Sequence, residues 1–217
     1  LVVITSSLLW TRKLFIIERR CIMMAEEQAD DDIFVYTGGD QVVPVDVVRV
    51  RIDKTVTIIP SRAFQGRNRL ICVEFHDGIE RIEKWAFNCC FSLKSIKLLG
   101  VKIIKEHAFR YCPGLAEVEF GVKLETIEER AFFDCTSLSN VIMPSLKHIG
   151  EWAFDNCQQL TDLELPEGLE TLQEYAFCGC NSLRRIAMPL RDDMIGDHAF
   201  YNSLETVDLV GGIHNTV

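Results

Sequence analysis

The 217-residue sequence lacks any uninterrupted apolar run near the ~18 residues that a membrane-spanning helix requires. It also lacks an excess of basic residues, because the formal net charge is −9. Nucleic-acid binding depends on clustered Lys and Arg that displace counterions. We therefore expect no membrane insertion and no nucleic-acid partner, and a basic or neutral partner fits the charge better.

The motifs of common catalytic and metal sites are also missing. There is no H-E-x-x-H zinc signature, no Walker phosphate loop and no G-x-S-x-G turn. The five histidines fall at scattered or repeat-determined positions, and no paired-carboxylate motif accompanies them. We predict that the chain is not an enzyme and takes no cofactor. A catalytic site assembled from distant residues is the least favoured alternative.

Residues 1–32 lack the order of signals that a secretory leader requires, with positive charge first and a small-residue cleavage site last. Arg12 and Lys13 interrupt the apolar residues, and an acidic run from Glu26 to Asp32 follows. We interpret 1–32 as a disordered or artefactual segment, with Met23 or Met24 as the true start. A short leader that is cleaved or touches a membrane is the alternative.

An internal repeat of 22 or 23 residues organises the rest of the chain. Ile or Leu stands five residues before each phenylalanine of a recurring Ala-Phe pair, and Cys follows three residues after five of them. A stretch of the form L-x-x-L-x-L comes next, as in Leu160-Thr-Asp-Leu163-Glu-Leu165, and it is typical of leucine-rich repeats. The recurring phenylalanines are Phe64, Phe87, Phe109, Phe132, Phe154, Phe177 and Phe200.

The full pattern I-x-x-x-A-F-x-x-C-x-x-L-x-x-I-x-L-P resembles the BspA-type leucine-rich repeats, over roughly Val47 to Leu209. We predict an α/β solenoid of right-handed coils, with a parallel β-sheet on one face and short helical turns at the Ala-Phe segments on the other. Each phenylalanine should fill its coil, and Pro144, Pro166 and Pro189 should end strands. The strand residues predicted to point inward are Val73, Ile96, Val118, Val141, Leu163, Ile186 and Val207.

The two ends of the repeat region suggest different boundaries. Residues 33–46 predict a β-hairpin that turns at Gly38-Gly39 and covers the edge of the first coil. The solenoid itself should occupy 47–217 with about seven repeats. Gly212-Ile213 resembles the start of an earlier coil, so the C-terminus is predicted to be truncated or weakly capped.

The nine cysteines of the sequence favour buried thiols over disulfides or zinc. Five stand at the same repeat position, and a row of identical positions with an odd total cannot pair completely. Zinc sites need close ligand pairs that converge on one point, which one Cys per coil does not supply. With no Asn-x-Ser/Thr acceptor present, this pattern favours a cytoplasmic location, with a cell-surface or secreted location as the alternative.

Two surface rows are candidate binding sites. The first is an aromatic and basic ridge two residues before each phenylalanine, and its candidate contact residues are Trp85, His107, Arg130, Trp152 and Tyr175. These rings either contact a partner or complete the packing between turns. The second row is an acidic zone on the outer strand face, formed by Glu117, Glu119, Asn140, Ile142, Asp162 and Glu164. It either docks a basic segment of a protein or is an ordinary solvated face, and Lys97 is expected to counter Glu119.

These patterns predict a non-catalytic protein–protein interaction module of the leucine-rich repeat class. The family resemblance implies binding roles inside cells, or adhesion when members are secreted. The alternative function is therefore a secreted or cell-surface adhesin that binds extracellular protein or glycan. The sequence does not specify an oligomeric state.

Overall fold

The computed structural model describes residues 33–189, 193–203 and 208–209. These residues form short strands joined by turns, and none of them forms a helix that could cross a membrane. The predicted N-terminal segment 1–32 and the start of an eighth coil lie outside the described residues. The strands are β1 Ile33–Tyr36, β2 Arg49–Ile52, β3 Ile58–Ile59, β4 Cys72–Glu74, β5 Arg81–Ile82, β6 Ser95–Leu98, β7 Ile103–Ile104, β8 Glu117–Phe120, β9 Thr126–Ile127, β10 Asn140–Ile142, β11 His148–Ile149, β12 Asp162–Glu164, β13 Thr171–Leu172, β14 Arg185–Ala187 and β15 Asp208–Leu209.

The strands belong to two sheets that run along the solenoid. Sheet A has the order β1-β2-β4-β6-β8-β10-β12-β14-β15, and sheet B has the order β13-β11-β9-β7-β5-β3. Central coils therefore contribute one strand to each sheet, and strands of successive coils pair in parallel; Val141, for example, pairs with Val118 and Leu163. Sheet A confirms the predicted parallel sheet. Sheet B, which contains the Ile or Leu five residues before each of the first six phenylalanines, was not predicted.

The predicted helical turns are wrong for the residues that the structure describes. Around Ala131-Phe132, Ala131 N–H donates to Glu128 O three residues back at 3.3 Å, whereas Phe132 N–H donates to Ala153 O of the next coil at 2.8 Å. Because alternate N–H groups point to the neighbouring coil, an unbroken helical ladder cannot form. Left-handed residues at Arg130 and Asp134 also end the segment on both sides.

The core is a ladder of stacked phenylalanine rings. Six of the seven recurring phenylalanines, from Phe64 to Phe177, are fully buried. Their rings stack face to face on those of the next coil, with centroids 4.8–5.2 Å apart and planes within 6°. The predicted inward residues that the structure describes, from Val73 to Ile186, are also buried. One coil alone would leave both ring faces in water, so adjacent coils stabilise each other.

The N-terminal end differs from the predicted hairpin. Within the described residues, Ile33–Tyr36 forms a single strand beside β2, and Gln41–Val43 forms no strand. Gly38 and Gly39 do adopt the left-handed conformation that the turn requires. Tyr36 is buried and packs edge-on against Phe64, 5.0 Å between centroids, so this segment still covers the end of the phenylalanine ladder.

Candidate interaction surfaces

The outer face of sheet A consists of two columns of side chains that run across the strands. In each strand of sheet A from β2 to β14, one buried residue is flanked by two residues that point outward. Strand register aligns equivalent outward residues in adjacent coils, ~4.8 Å apart. The first column contains Ser95, Glu117, Asn140, Asp162 and Arg185, and the second contains Lys97, Glu119, Ile142, Glu164 and Ala187. The structure therefore brings all six residues of the predicted acidic zone onto one surface.

Ion pairs engage the carboxylates at one end of this face, whereas three carboxylates of the acidic zone form none in the described residues. Glu74 contacts Arg51 at 2.7 Å, and Lys97 Nζ lies 3.3 Å from Glu119 Oε2, as the sequence predicted. In the part of the chain that the structure describes, Glu117, Asp162 and Glu164 form no ion pair. They lie on β8 and β12, the strands on either side of β10, whose Ile142 is 38% exposed, and Arg185 of β14 is in register beside Asp162.

The residues of the predicted aromatic ridge stack on one another in two groups. Trp85 lies on His107 with ring centroids 4.0 Å apart, and Trp152 lies on Tyr175 at 4.2 Å. The Arg130 guanidinium sits 5.7 Å from the Trp152 ring and so extends the stack between the two aromatic pairs. All five side chains are half-buried. Their ring faces contact one another, so mainly ring edges are accessible to a partner.

A left-handed backbone positions the ridge. Each ridge residue has φ between 51° and 62°, and a second left-handed residue follows four positions later in every coil. This conformation is uncommon for residues other than Gly, Asn and Asp. It tilts the ridge side chains along the solenoid, where they stack. The second left-handed positions are Gly66, Cys89, Tyr111, Asp134, Asn156, Gly179 and Asn202.

An aromatic cluster around Arg110 was missed by sequence reasoning. The Arg110 guanidinium lies 4.3 Å from the Tyr111 ring, 5.3 Å from Phe133 and 5.8 Å from Trp85. The cluster combines three rows of the repeat, which stand one residue after, two residues after and two residues before the phenylalanine. Burial, and secondly the Arg110 charge, lower the pKa of the neighbouring His107. A pattern search confined to one row could not detect this cluster.

The cysteine ladder links the coils through their backbones. All five thiols are fully buried, and each Sγ donates to the carbonyl oxygen of a phenylalanine in the preceding coil, at 3.1–3.4 Å. Ser203 occupies the equivalent place after the last cysteine and donates to Phe177 O. At the first place, Arg67 donates instead to Val43 O at 2.8 and 3.0 Å. The ladder cysteines are Cys90, Cys112, Cys135, Cys157 and Cys180.

The thiols of the ladder are free and have low reactivity. The five ladder cysteines form no disulfide, and no group of His, Cys, Asp or Glu in the described ranges could hold a metal ion. Burial raises the pKa of the Cys90, Cys112 and Cys157 thiols well above the ordinary value. Because the thiolate is the reactive form, these groups are poor nucleophiles.

A histidine at sheet B lies beside a hydroxyl group and a carboxylate, the groups that acid–base catalysis uses. His148 Nδ1 is 3.1 Å from Thr171 Oγ1, and His148 Nε2 is 3.8 Å from Glu170 Oε2. Thr171 and Glu170 are exposed, and the shallow depression beside them holds only about 220 Å³. Efficient acid–base sites exclude water and hold their groups within close hydrogen-bond reach. This surface arrangement therefore gives little support for catalysis.

The fold and its repeating surfaces define a parallel β-solenoid of the repeat-protein class. The chain belongs to the BspA-type leucine-rich repeat family, whose model matches residues 45–146 and 102–215 with six copies. No curated protein matches the chain with significance.

Solved structures show the same fold. The leucine-rich repeat protein of T. pallidum is 27% identical, with a TM-score of 0.69; the match covers 82% of this chain and 86% of that one. A leucine-rich repeat protein of Eubacterium ventriosum ATCC 27560 is 23% identical, with a TM-score of 0.64, over 76% of this chain. The match spans only 45% of that second protein.

Proposed function

We propose that this chain is a non-catalytic protein-interaction module that binds a basic segment of a partner protein on the outer face of sheet A. The observation that carries the proposal is a set of three carboxylates that form no ion pair in the described residues, Glu117, Asp162 and Glu164, on the two strands that flank the exposed Ile142. Repeat proteins commonly bind partners along such extended surfaces. Basic side chains would neutralise the carboxylates, while Ile142 would offer an apolar contact at the centre.

The acidic zone fits a partner better than the aromatic ridge does. Ring faces of the ridge already pack against one another, so a partner would gain only their edges. The outward side chains of β12 are instead exposed and have no competing ion pair in the described structure. The ridge stays a prediction, and the sheet face is the surface that we propose.

A charge-reversal experiment tests the proposal. Fluorescence anisotropy would measure the binding of a labelled Lys-rich peptide and of a Glu-rich peptide of equal length. We expect only the basic peptide to bind, with an affinity that falls as salt rises. Glu164→Lys should weaken binding about tenfold, because attraction at the zone becomes repulsion.

Glu174→Lys is the matched control, because it changes the net charge equally at an exposed residue away from sheet A. It should leave the affinity nearly unchanged. Glu119→Lys should have a smaller effect than Glu164→Lys, since Glu119 is already paired with Lys97. Equal loss in Glu164→Lys and Glu174→Lys would show that total charge, rather than this surface, determines binding.

A further inference from the structure

The outward carboxylates of sheet A occupy alternate strands. In the second column Glu74 lies on β4, Glu119 on β8 and Glu164 on β12. In the first column Glu117 and Asp162 lie on β8 and β12. The strands between them carry no acidic outward residue; these positions are Ser95, Lys97, Asn140, Ile142, Arg185 and Ala187.

This alternation sets a distance that a partner must match. Adjacent strands lie ~4.8 Å apart, so carboxylates on alternate strands repeat every ~9.6 Å along the solenoid. A polyproline II segment rises ~3.1 Å per residue with three residues per turn, so residues i and i+3 share a face ~9.3 Å apart. Same-face residues of a β-strand repeat every ~6.7 Å. In an α-helix, residues i and i+7 share a face and lie ~10.5 Å apart. Polyproline II matches the carboxylate spacing most closely.

We propose, resting on the function proposed above, that the partner segment lies across the strands of sheet A as a polyproline II helix with Lys or Arg at every third residue. One basic side chain pairs with Glu117 on β8, and the next pairs with Asp162 and Glu164 on β12. The intervening strand β10 faces no basic residue, so Ile142 contacts the apolar or proline residues between them.

The width and charge of the face agree with this arrangement. The two columns are two residues apart along a strand, ~6.7 Å, which suits a single extended chain better than a folded domain. Arg185 on β14 would repel a segment with a cation opposite every strand. It tolerates a segment whose cations face only β8 and β12. Lys97 similarly limits the site at β6, where it pairs with Glu119.

Peptides of one composition and different spacing test the inference. A labelled peptide of Pro-Pro-Lys repeats would be compared by anisotropy with a second peptide of the same composition. In the second peptide the spacing between successive lysines alternates between two and four residues. We expect the regular peptide to bind about two- to fivefold more tightly, the contribution of one additional exposed ion pair. Equal affinities would overturn the spacing inference and leave the basic-segment function standing. Failure of both peptides, and of the Lys-rich peptide, to bind at low salt would contradict the function itself.

A charge-neutral double variant provides the matching test on the protein. Glu117→Gln with Asn140→Asp moves one carboxylate from β8 to β10, so the first column presents acids on adjacent strands at unchanged net charge. The preference for the regular peptide should disappear. A thermal melt confirms that the variant is folded, and Glu164→Gln, which retains Glu117 and Asp162, should keep the preference at lower affinity. A double variant that kept the wild-type preference would overturn the inference.

Discussion

The phenylalanine ladder and the outer face of sheet A run along the same coils, but they differ in how much the residue type changes from coil to coil. Inside, Phe, Ala and Cys recur at the same positions, and the rings stack within 6° of parallel. Outside, the first column changes from serine to glutamate, asparagine, aspartate and arginine over five strands.

This difference separates the requirements of folding from those of recognition. A buried ring must fit the ring of the next coil, so each coil limits the residue in its neighbour. An outward residue has one side in water and tolerates almost any polar substitution. The outer face is therefore where individual coils differ enough to encode a specific partner, whereas the inner ladder stabilises any sequence of outer residues.

The largest expected effect comes from breaking the inner ladder. Phe132→Ala removes a fully buried ring that stacks on Phe109 and Phe154, and we expect a loss of about 3–5 kcal/mol in the free energy of unfolding. Thermal and urea denaturation measure it. Phe133→Ala is the control, because the Phe133 ring is only half-buried and its removal should cost less stability. Equal costs for the two variants would refute the assigned core.

A smaller effect is expected in the ridge. Trp152→Ala removes a ring stacked on Tyr175 and on the Arg130 guanidinium, and it should cost about 1–3 kcal/mol of stability. Affinity for a basic peptide should stay the same, since the ridge is separate from sheet A. A variant with unchanged melting but clearly weakened peptide binding would instead identify the ridge as the binding surface.

The cysteine ladder predicts a loss of stability at alkaline pH. Burial raises the pKa of the thiols in the folded chain, so they stay protonated while the unfolded chain ionises above about pH 9. Folded protein then binds more protons, and its stability falls as pH rises, by about 1.4 kcal/mol per pH unit for each such thiol. Cys135→Ser keeps a donor for Phe109 O but removes one ionisable thiol. The free energy of unfolding should therefore fall less steeply with pH, by the contribution of one proton. An unchanged slope between pH 9 and 10.5 would contradict this assignment.

The smallest effect concerns the turns. Cys89 is left-handed with φ of 61°, and glycine occupies the equivalent place at Gly66 and Gly179. Cys89→Gly relieves backbone strain but increases the freedom of the unfolded chain, so stability should rise by no more than about 1 kcal/mol. Ala86→Gly, at a residue without a positive φ, should instead lower stability. A clear loss in Cys89→Gly would show that the Cys89 side chain matters more than its backbone.

The period of the sequence was sufficient to predict the inner ladder and sheet A. Repetition of Phe132 and its equivalents at 22 or 23 residues identifies one coil, and alternation around Val141 identifies the strand that points inward. Both are local patterns that recur. The six residues of the acidic zone could be placed on one surface for the same reason, since identical repeat positions stack in parallel strands.

The turns and the hairpin could not be predicted in this way. The left-handed positions are occupied by residues such as Trp85 and Tyr175, which give no local signal for that conformation. Ala-Phe followed by polar residues is compatible with a helical turn, and only the hydrogen bonds to the next coil exclude it. At the N-terminus, Gly38-Gly39 indicated a turn, but whether the chain pairs with itself or with β2 depends on contacts distant in sequence.

Methyl NMR on isoleucine-labelled protein would show whether a basic segment binds on the outer face of sheet A. Ile142 and Ile58 are equally exposed, at 38%, but Ile142 lies in the acidic zone and Ile58 on sheet B. During titration with the Pro-Pro-Lys peptide, we expect the Ile142 methyl signal to shift and saturate while the Ile58 signal stays in place. A shift at Ile58 with none at Ile142 would contradict this expectation.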